Sequence, residues 1–150
     1  MRAIYTAPVG ADVALVATTP KTVLAVIAPA TFGIDMVGFE VTMDGVTATD
    51  KAVRVELVSY TADGTGTAGT IVQSAGRAIV TGFTSKYNYS VEPTGPAVYD
   101  RWTLTPIGGT LFRDWGDRGP DTGVSTLFGL RCTAPTSAVN VNATMWFGRC

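Results

Sequence analysis

Chemistry needs side chains that can hold a proton, a metal or a reacting electron pair, and this chain places few of them where they could act. There is no histidine among its 150 residues. That removes Ser-His-Asp and Cys-His activation and every histidine-containing metal site. Serine and cysteine are left without a base, since none of Lys21, Lys51 and Lys86 has a matching context. The densest charged stretch is Arg113-Asp-Trp-Gly-Asp-Arg-Gly-Pro-Asp-Thr-Gly123. Its Asp114, Asp117 and Asp121 could offer oxygens to calcium, which takes about six to eight of them. EF-hand spacing is absent, and Arg113 and Arg118 bring competing positive charge, so the stretch reads as a solvated loop whose Asp and Arg pair with each other or with a neighbouring subunit. Glycoside hydrolysis needs two acids facing each other across a cleft. The only glutamates are Glu40, Glu56 and Glu92. The first two alternate onto polar strand faces, and Glu92, before Pro93, suits a corner where it accepts backbone N–H groups. Gly64-Thr-Gly-Thr-Ala-Gly-Thr70 has the composition of a phosphate cradle without the Lys-Ser/Thr ending or the following helix. The expectation is a protein that is not an enzyme, with no catalytic, metal or cofactor site.

The tryptophans say more. Trp102 alternates with Leu104 and is expected in the core. Trp115 sits in the charged loop, and Trp146 falls on the Asn/Thr side of the last strand. Contact anchors are often Trp or Arg, so Arg113, Trp115, Arg118 and Trp146 are the candidate subunit or partner interface. Exposed aromatics also stack on carbohydrate; no polar cluster surrounds either Trp in the sequence, which favours the subunit or partner contact.

The elements that must carry these residues are strands. Phe39–Asp44 and Val53–Leu57 alternate apolar with polar, placing Arg54 and Glu56 toward water or a partner. Val139, Val141, Ala143, Met145 and Phe147 share one face, against Asn140, Asn142, Thr144 and Trp146 on the other. Further strands are expected at Ala11–Thr18, Thr22–Ala28, Arg77–Phe83, Asn88–Val91, Arg101–Thr105 and Ser125–Cys132, with turns at Asp44-Gly45, Asp63-Gly64, Gly108-Gly109 and Gly119-Pro120. A short helical turn is expected only at Gly69–Ala75. The chain reads as one all-β domain over residues 1–150, an antiparallel β-sandwich of about eight to ten strands. Long connections at Thr61–Gln73 and Leu111–Gly123 favour a Greek-key or jelly-roll order over an up-and-down barrel.

Composition narrows the setting. Hydrophobic residues make up 46% and charged ones 15%, which excludes disorder. The net charge of −1, with arginines scattered among carboxylates, gives no basic stripe for nucleic acid. Three lysines stand against eight arginines, which fits either a surface largely facing other subunits or a codon bias toward arginine. Neither a signal-peptide run nor a membrane-length apolar stretch is present, so synthesis in a cytoplasm without secretion is expected, with no membrane partner. The cysteines, Cys132 and Cys150, then begin reduced; a bridge between neighbouring strands is conceivable, and a buried thiol with a loose terminal one is the favoured reading.

Four segments together carry a resemblance: Asp63-Gly-Thr-Gly-Thr-Ala-Gly-Thr70, Tyr89-Ser-Val-Glu-Pro-Thr94, Trp102-Thr-Leu-Thr-Pro-Ile-Gly-Gly109, and Leu130 through Thr144. Over roughly residues 35–147 the chain resembles the jelly-roll head-decoration, or cement, proteins of tailed bacteriophages, which form TNF-like trimers on the capsid surface. It departs from that pattern at Arg113–Pro120, where an acidic, Leu-Gly-containing turn would stand. The resemblance implies a TNF-like jelly roll, a homotrimer, the major capsid protein as partner, a place on the virion surface, and residues 1–12 as an extended N-terminal arm. The alternatives are a receptor- or glycan-binding tip domain of a tail fibre, or a neck or tail component.

Overall fold

The computed structural model describes residues 3–45, 51–76, 82–136 and 138–150. Thirteen strands lie among them: β1 (Ile4–Pro8), β2 (Val13–Ala14), β3 (Lys21–Ile27), β4 (Ile34–Met43), β5 (Val53–Tyr60), β6 (Thr65–Ala68), β7 (Val72–Ala75), β8 (Thr84–Val91), β9 (Ala97–Leu104), β10 (Thr110–Asp114), β11 (Asp121–Thr122), β12 (Leu127–Thr133) and β13 (Asn140–Arg149). A 3-10 turn covers Gly116–Arg118. Every strand pairing is antiparallel, in two sheets. Sheet A runs β10-β4-β13-β1-β7, with β2 and β11 attached at β13 and β4, and sheet B runs β6-β8-β3-β12-β5-β9.

Eight of these strands make a jelly roll. Taken in chain order as β1, β3, β4, β5, β9, β10, β12 and β13, the first pairs with the last, the second with the seventh, the third with the sixth and the fourth with the fifth. Rolling that long hairpin brings β13 beside β4 and β12 beside β5, which closes the two sheets over one core. The alternation read from the sequence sets the inner faces. Val139, just before the last strand, and Val141, Ala143, Met145 and Phe147 on it are all buried, the latter four opposite Met43, Val41, Phe39 and Met36 of β4, in one core with Val53, Val55 and Leu57 of β5. Aromatic edges join the sheets: Phe39 meets Trp102 of β9 at 5.2 Å between centroids, and Phe83 meets Phe147 at 5.2 Å. Trp102 belongs to the core flank, as its alternation predicts.

Several expectations change. Gly69–Ala75 does not form a helical turn; Val72–Ala75 is the edge strand β7, paired with β1. The two connections read as irregular contain strands, β6 and the start of β7 in one and β10 and β11 in the other, and these short strands lift the total above ten. Extended structure at Ala11–Thr18 shrinks to β2, and the expected strand at Arg77–Phe83 lies outside the described residues over 77–81. Residues 4–8 are extended but form no free arm: β1 lies between β13 and β7, with Tyr5 and Ala7 in the core. Both cysteines are free, Cys132 buried and Cys150 exposed. Burial pushes the Cys132 thiol up to about 12, with the nearby Glu56 charge adding to the shift.

Sheet B is buried on both sides over part of its width, which explains why β3 is apolar almost throughout. Ala25, Val58, Tyr60, Tyr89 and Leu127 form a second cluster on its outer face. A strap holds there. Glu92 accepts the Thr22 backbone N–H at 2.8 and 3.0 Å and the Thr22 hydroxyl as well, and Thr22 also meets the Tyr60 hydroxyl at 2.8 Å. Glu92 thus receives backbone N–H as its sequence context suggests, from β3 and not from its own corner.

Candidate interaction surface

The outer face of sheet A is a broad, ordered strand surface. Its register sets Phe112 beside Glu40 and Thr144, and Thr110 beside Thr42 and Asn142. Thr6 and Pro8 continue it on β1, and Val72 and Ser74 on β7. Small polar side chains dominate, and none of these strand positions holds Lys or Arg.

Toward one end this carpet opens into an apolar groove of about 280 Å³. Ile4, Val37, Phe112 and Trp146 wall it, Gly38 lies among them, and Ser74 and Asp114 supply the polar lining. Trp146 is half-buried and stands edge-on to Phe112 at 5.9 Å, and Phe112 is 60% exposed. Gly38 is needed by geometry: a Cβ there would sit 2.4 Å from the Arg113 carbonyl oxygen across the β4–β10 pair. At the other end Asn142 donates to Asp12 at 3.0 Å, and Asp44 accepts the Asn140 backbone and side-chain N–H groups, both at 2.8 Å. Those Asn140 bonds hold the Asp44 carboxyl below its usual range.

The four residues singled out in the sequence do not form one site. Trp146 does belong to the groove. Arg113, exposed on β10, lies with its guanidinium 5.4 Å from the Trp115 ring centroid. Trp115, expected as an exposed anchor, is half-buried with its ring 5.7 Å from Phe39, and its backbone N–H donates to the Val37 carbonyl at 2.8 Å; it flanks the core. Arg118 stands exposed on the 3-10 turn. Just before that turn Asp114 accepts the Gly116 N–H at 2.8 Å, while Asp121 lies on β11 opposite Asp35. Among the described residues no three acid or cysteine side chains gather around a point that could hold a metal.

Sequence reasoning passed over Phe112, Ile4 and Val37. The alternation in Thr110-Leu-Phe-Arg-Asp114 was a usable signal, masked by the density of charge and glycine that follows it.

Glu56, expected toward water or a partner, is 2% exposed on the outer side of sheet B, where arginines of its own chain cover it: it accepts from Arg101 Nε and Arg131 Nε, both at 2.7 Å. Burial alone would raise its pKa; the hydrogen bonds and charges of Arg131 and Arg101 outweigh it and hold the carboxyl below the ordinary glutamate range. Across the same sheet, on β8, Tyr89 donates to Asp63 at 2.9 Å, and burial together with that carboxylate raises its phenol well above the usual value.

No protein-family model matches this chain, and no curated protein matches it. Among solved structures, the chain is similar to the T13 infectious bursal disease virus particle (15% identity, TM-score 0.27, 100% of this chain and 40% of that one). It is also similar to the VP2 subviral particle of the same virus (15% identity, TM-score 0.25, 98% and 41%). The Gx strain structure of that virus gives 14% identity and a TM-score of 0.26 over 97% and 41%. The chain spans about 40% of the length of these chains.

Proposed function

We propose that this chain is a virion structural protein, a capsid decoration (cement) protein that trimerises and stabilises the head shell of a tailed phage. One observation carries the reading: the outer face of sheet A is wide, poor in charge and opens at one end into a Trp146–Phe112 groove. Its five strands, three of them only four or five residues long, present on the order of 550 Å² at about 3.3 Å per residue and about 4.8 Å between strands. That is about two-thirds of the roughly 800 Å² per partner of a standard-size interface, the remainder falling to the flanking loops. Trp146 and Phe112 are the residues such an interface buries as anchors. A trimer that binds only the assembled shell stabilises it by mass action, without any reactive group.

Sedimentation analysis of the purified chain at low micromolar concentration is expected to give the mass of three chains. The protein is expected to re-attach to phage heads stripped of their decoration. A persistent monomer that leaves stripped heads bare refutes the reading, and binding of the free protein to sugars or host cells would favour the fibre-tip alternative.

A further inference from the structure

The outer side of sheet B carries a charged device that the proposed trimer contact does not use. In register across three strands stand Arg131 of β12, Glu56 of β5 and Arg101 of β9. Each carboxylate oxygen of Glu56 takes the Nε–H of a different arginine. A guanidinium carries five N–H groups in one plane, so four on each arginine, those of the terminal nitrogens, remain. Among the described residues these terminal nitrogens meet no acceptor. Arg101 is 61% exposed and Arg131 20%, while the carboxylate between them is nearly closed off from water. Arg54, two residues before Glu56 and on the same face, is exposed as well. Glu92, bonded to Thr22 directly opposite Arg131, is a second carboxylate on this face, so the three arginines leave one positive charge unbalanced, with the forks of Arg101 and Arg131 fixed in direction by Glu56.

We propose that the Arg101–Arg131 pair, held in place by Glu56 and reinforced by Arg54, is a receptor for the carboxylates of an acidic protein segment. Arginine forks match a carboxylate through two parallel hydrogen bonds. Fixing both guanidiniums beforehand removes part of the ordering cost of binding. The ligand class follows from the surroundings. The spot is a few residues wide on a chain of net charge −1, too small and isolated to follow a phosphate backbone. Beside it on β9, exposed Val98 offers an apolar edge that a peptide can cover. The inference does not depend on the virion reading, because it concerns a surface complete within one subunit.

The test is titration of the full chain with a ten-residue glutamate peptide at low salt, followed calorimetrically. Parallel titrations use inorganic phosphate and a ten-nucleotide oligothymidylate. The peptide is expected to bind, and R101Q and R54Q are each expected to weaken it about five- to tenfold. R149Q, at an arginine engaged with Phe32 at the end of β13, is expected to leave binding unchanged. Arg101 and Arg54 are exposed, so thermal denaturation should show both variants folded; should R101Q unfold, the affinity of R54Q decides. The proposal is overturned if the peptide does not bind, if R149Q weakens it as much as the others do, or if phosphate or the oligonucleotide binds as tightly.

Discussion

Replacing Arg131 by Met tests how the buried Glu56 is tolerated, because Met keeps most of the aliphatic stem and removes only the charge and its hydrogen bonds. Breaking a buried ion pair by removing one partner costs roughly 3–5 kcal/mol, since the remaining charge is left uncompensated. Here Arg101 remains, but it is 61% exposed, so water screens much of its contribution. The expected loss is therefore about 2–3 kcal/mol at pH 7, or about 5–10 °C in melting temperature for a chain of this size. The pH dependence separates charge from packing. Glu56 has a depressed native pKa, so its stabilisation is complete above the ordinary glutamate value of 4.5 and is lost as pH falls through the lower native value. The gap between wild type and R131M should accordingly shrink on going from pH 7 to pH 3. Urea denaturation at both pH values measures it, and adding E56Q to R131M should recover much of the loss at pH 7. An equal gap at the two pH values, with no recovery by E56Q, would refute the electrostatic account and assign the loss to packing of the arginine stem.

Changing Phe112 to Ser should abolish self-association in sedimentation while leaving the denaturation midpoint within about 0.5 kcal/mol of wild type, because the ring is 60% exposed. An unchanged oligomer would remove the sheet A face as the contact. Gly119→Ala would place a Cβ 1.7 Å from the Met36 carbonyl oxygen, forcing the 3-10 turn off β4. A loss of at least about 2 kcal/mol in urea denaturation is expected, and a neutral result would mean that this backbone approach is not kept in solution. Cys132 favours its neutral thiol in the fold, so its contribution is intact below the unfolded value near 9 and declines by about 1.4 kcal/mol per pH unit as pH rises toward about 12. Denaturation midpoints at pH 8 and pH 10 should fall less for C132A than for wild type, and parallel slopes would exclude the thiol as the cause.

Much of the architecture was legible in local pattern. Period-two alternation located β4, β5 and β13 and told which of their side chains face the core, because strand geometry alone sends successive side chains to opposite faces. Apolar β-branched runs located β3 and β12, and Trp102 and Cys132 went where their neighbours predicted. The missing strands β1, β6, β7, β10 and β11 are of two to five residues, too short to show a period, and exist because a longer neighbour supplies hydrogen-bond partners in register. The candidate surfaces depended even more on long-range pairing. The groove exists because β1, β4, β10 and β13 lie side by side and bring Ile4, Val37, Phe112 and Trp146 together. Glu56 looked like a solvent-facing residue because alternation assigns a side chain to a face and cannot tell what covers it. Its cover comes from Arg101 and Arg131, 45 and 75 residues further along the chain, and only the rolling of the two sheets sets them on either side.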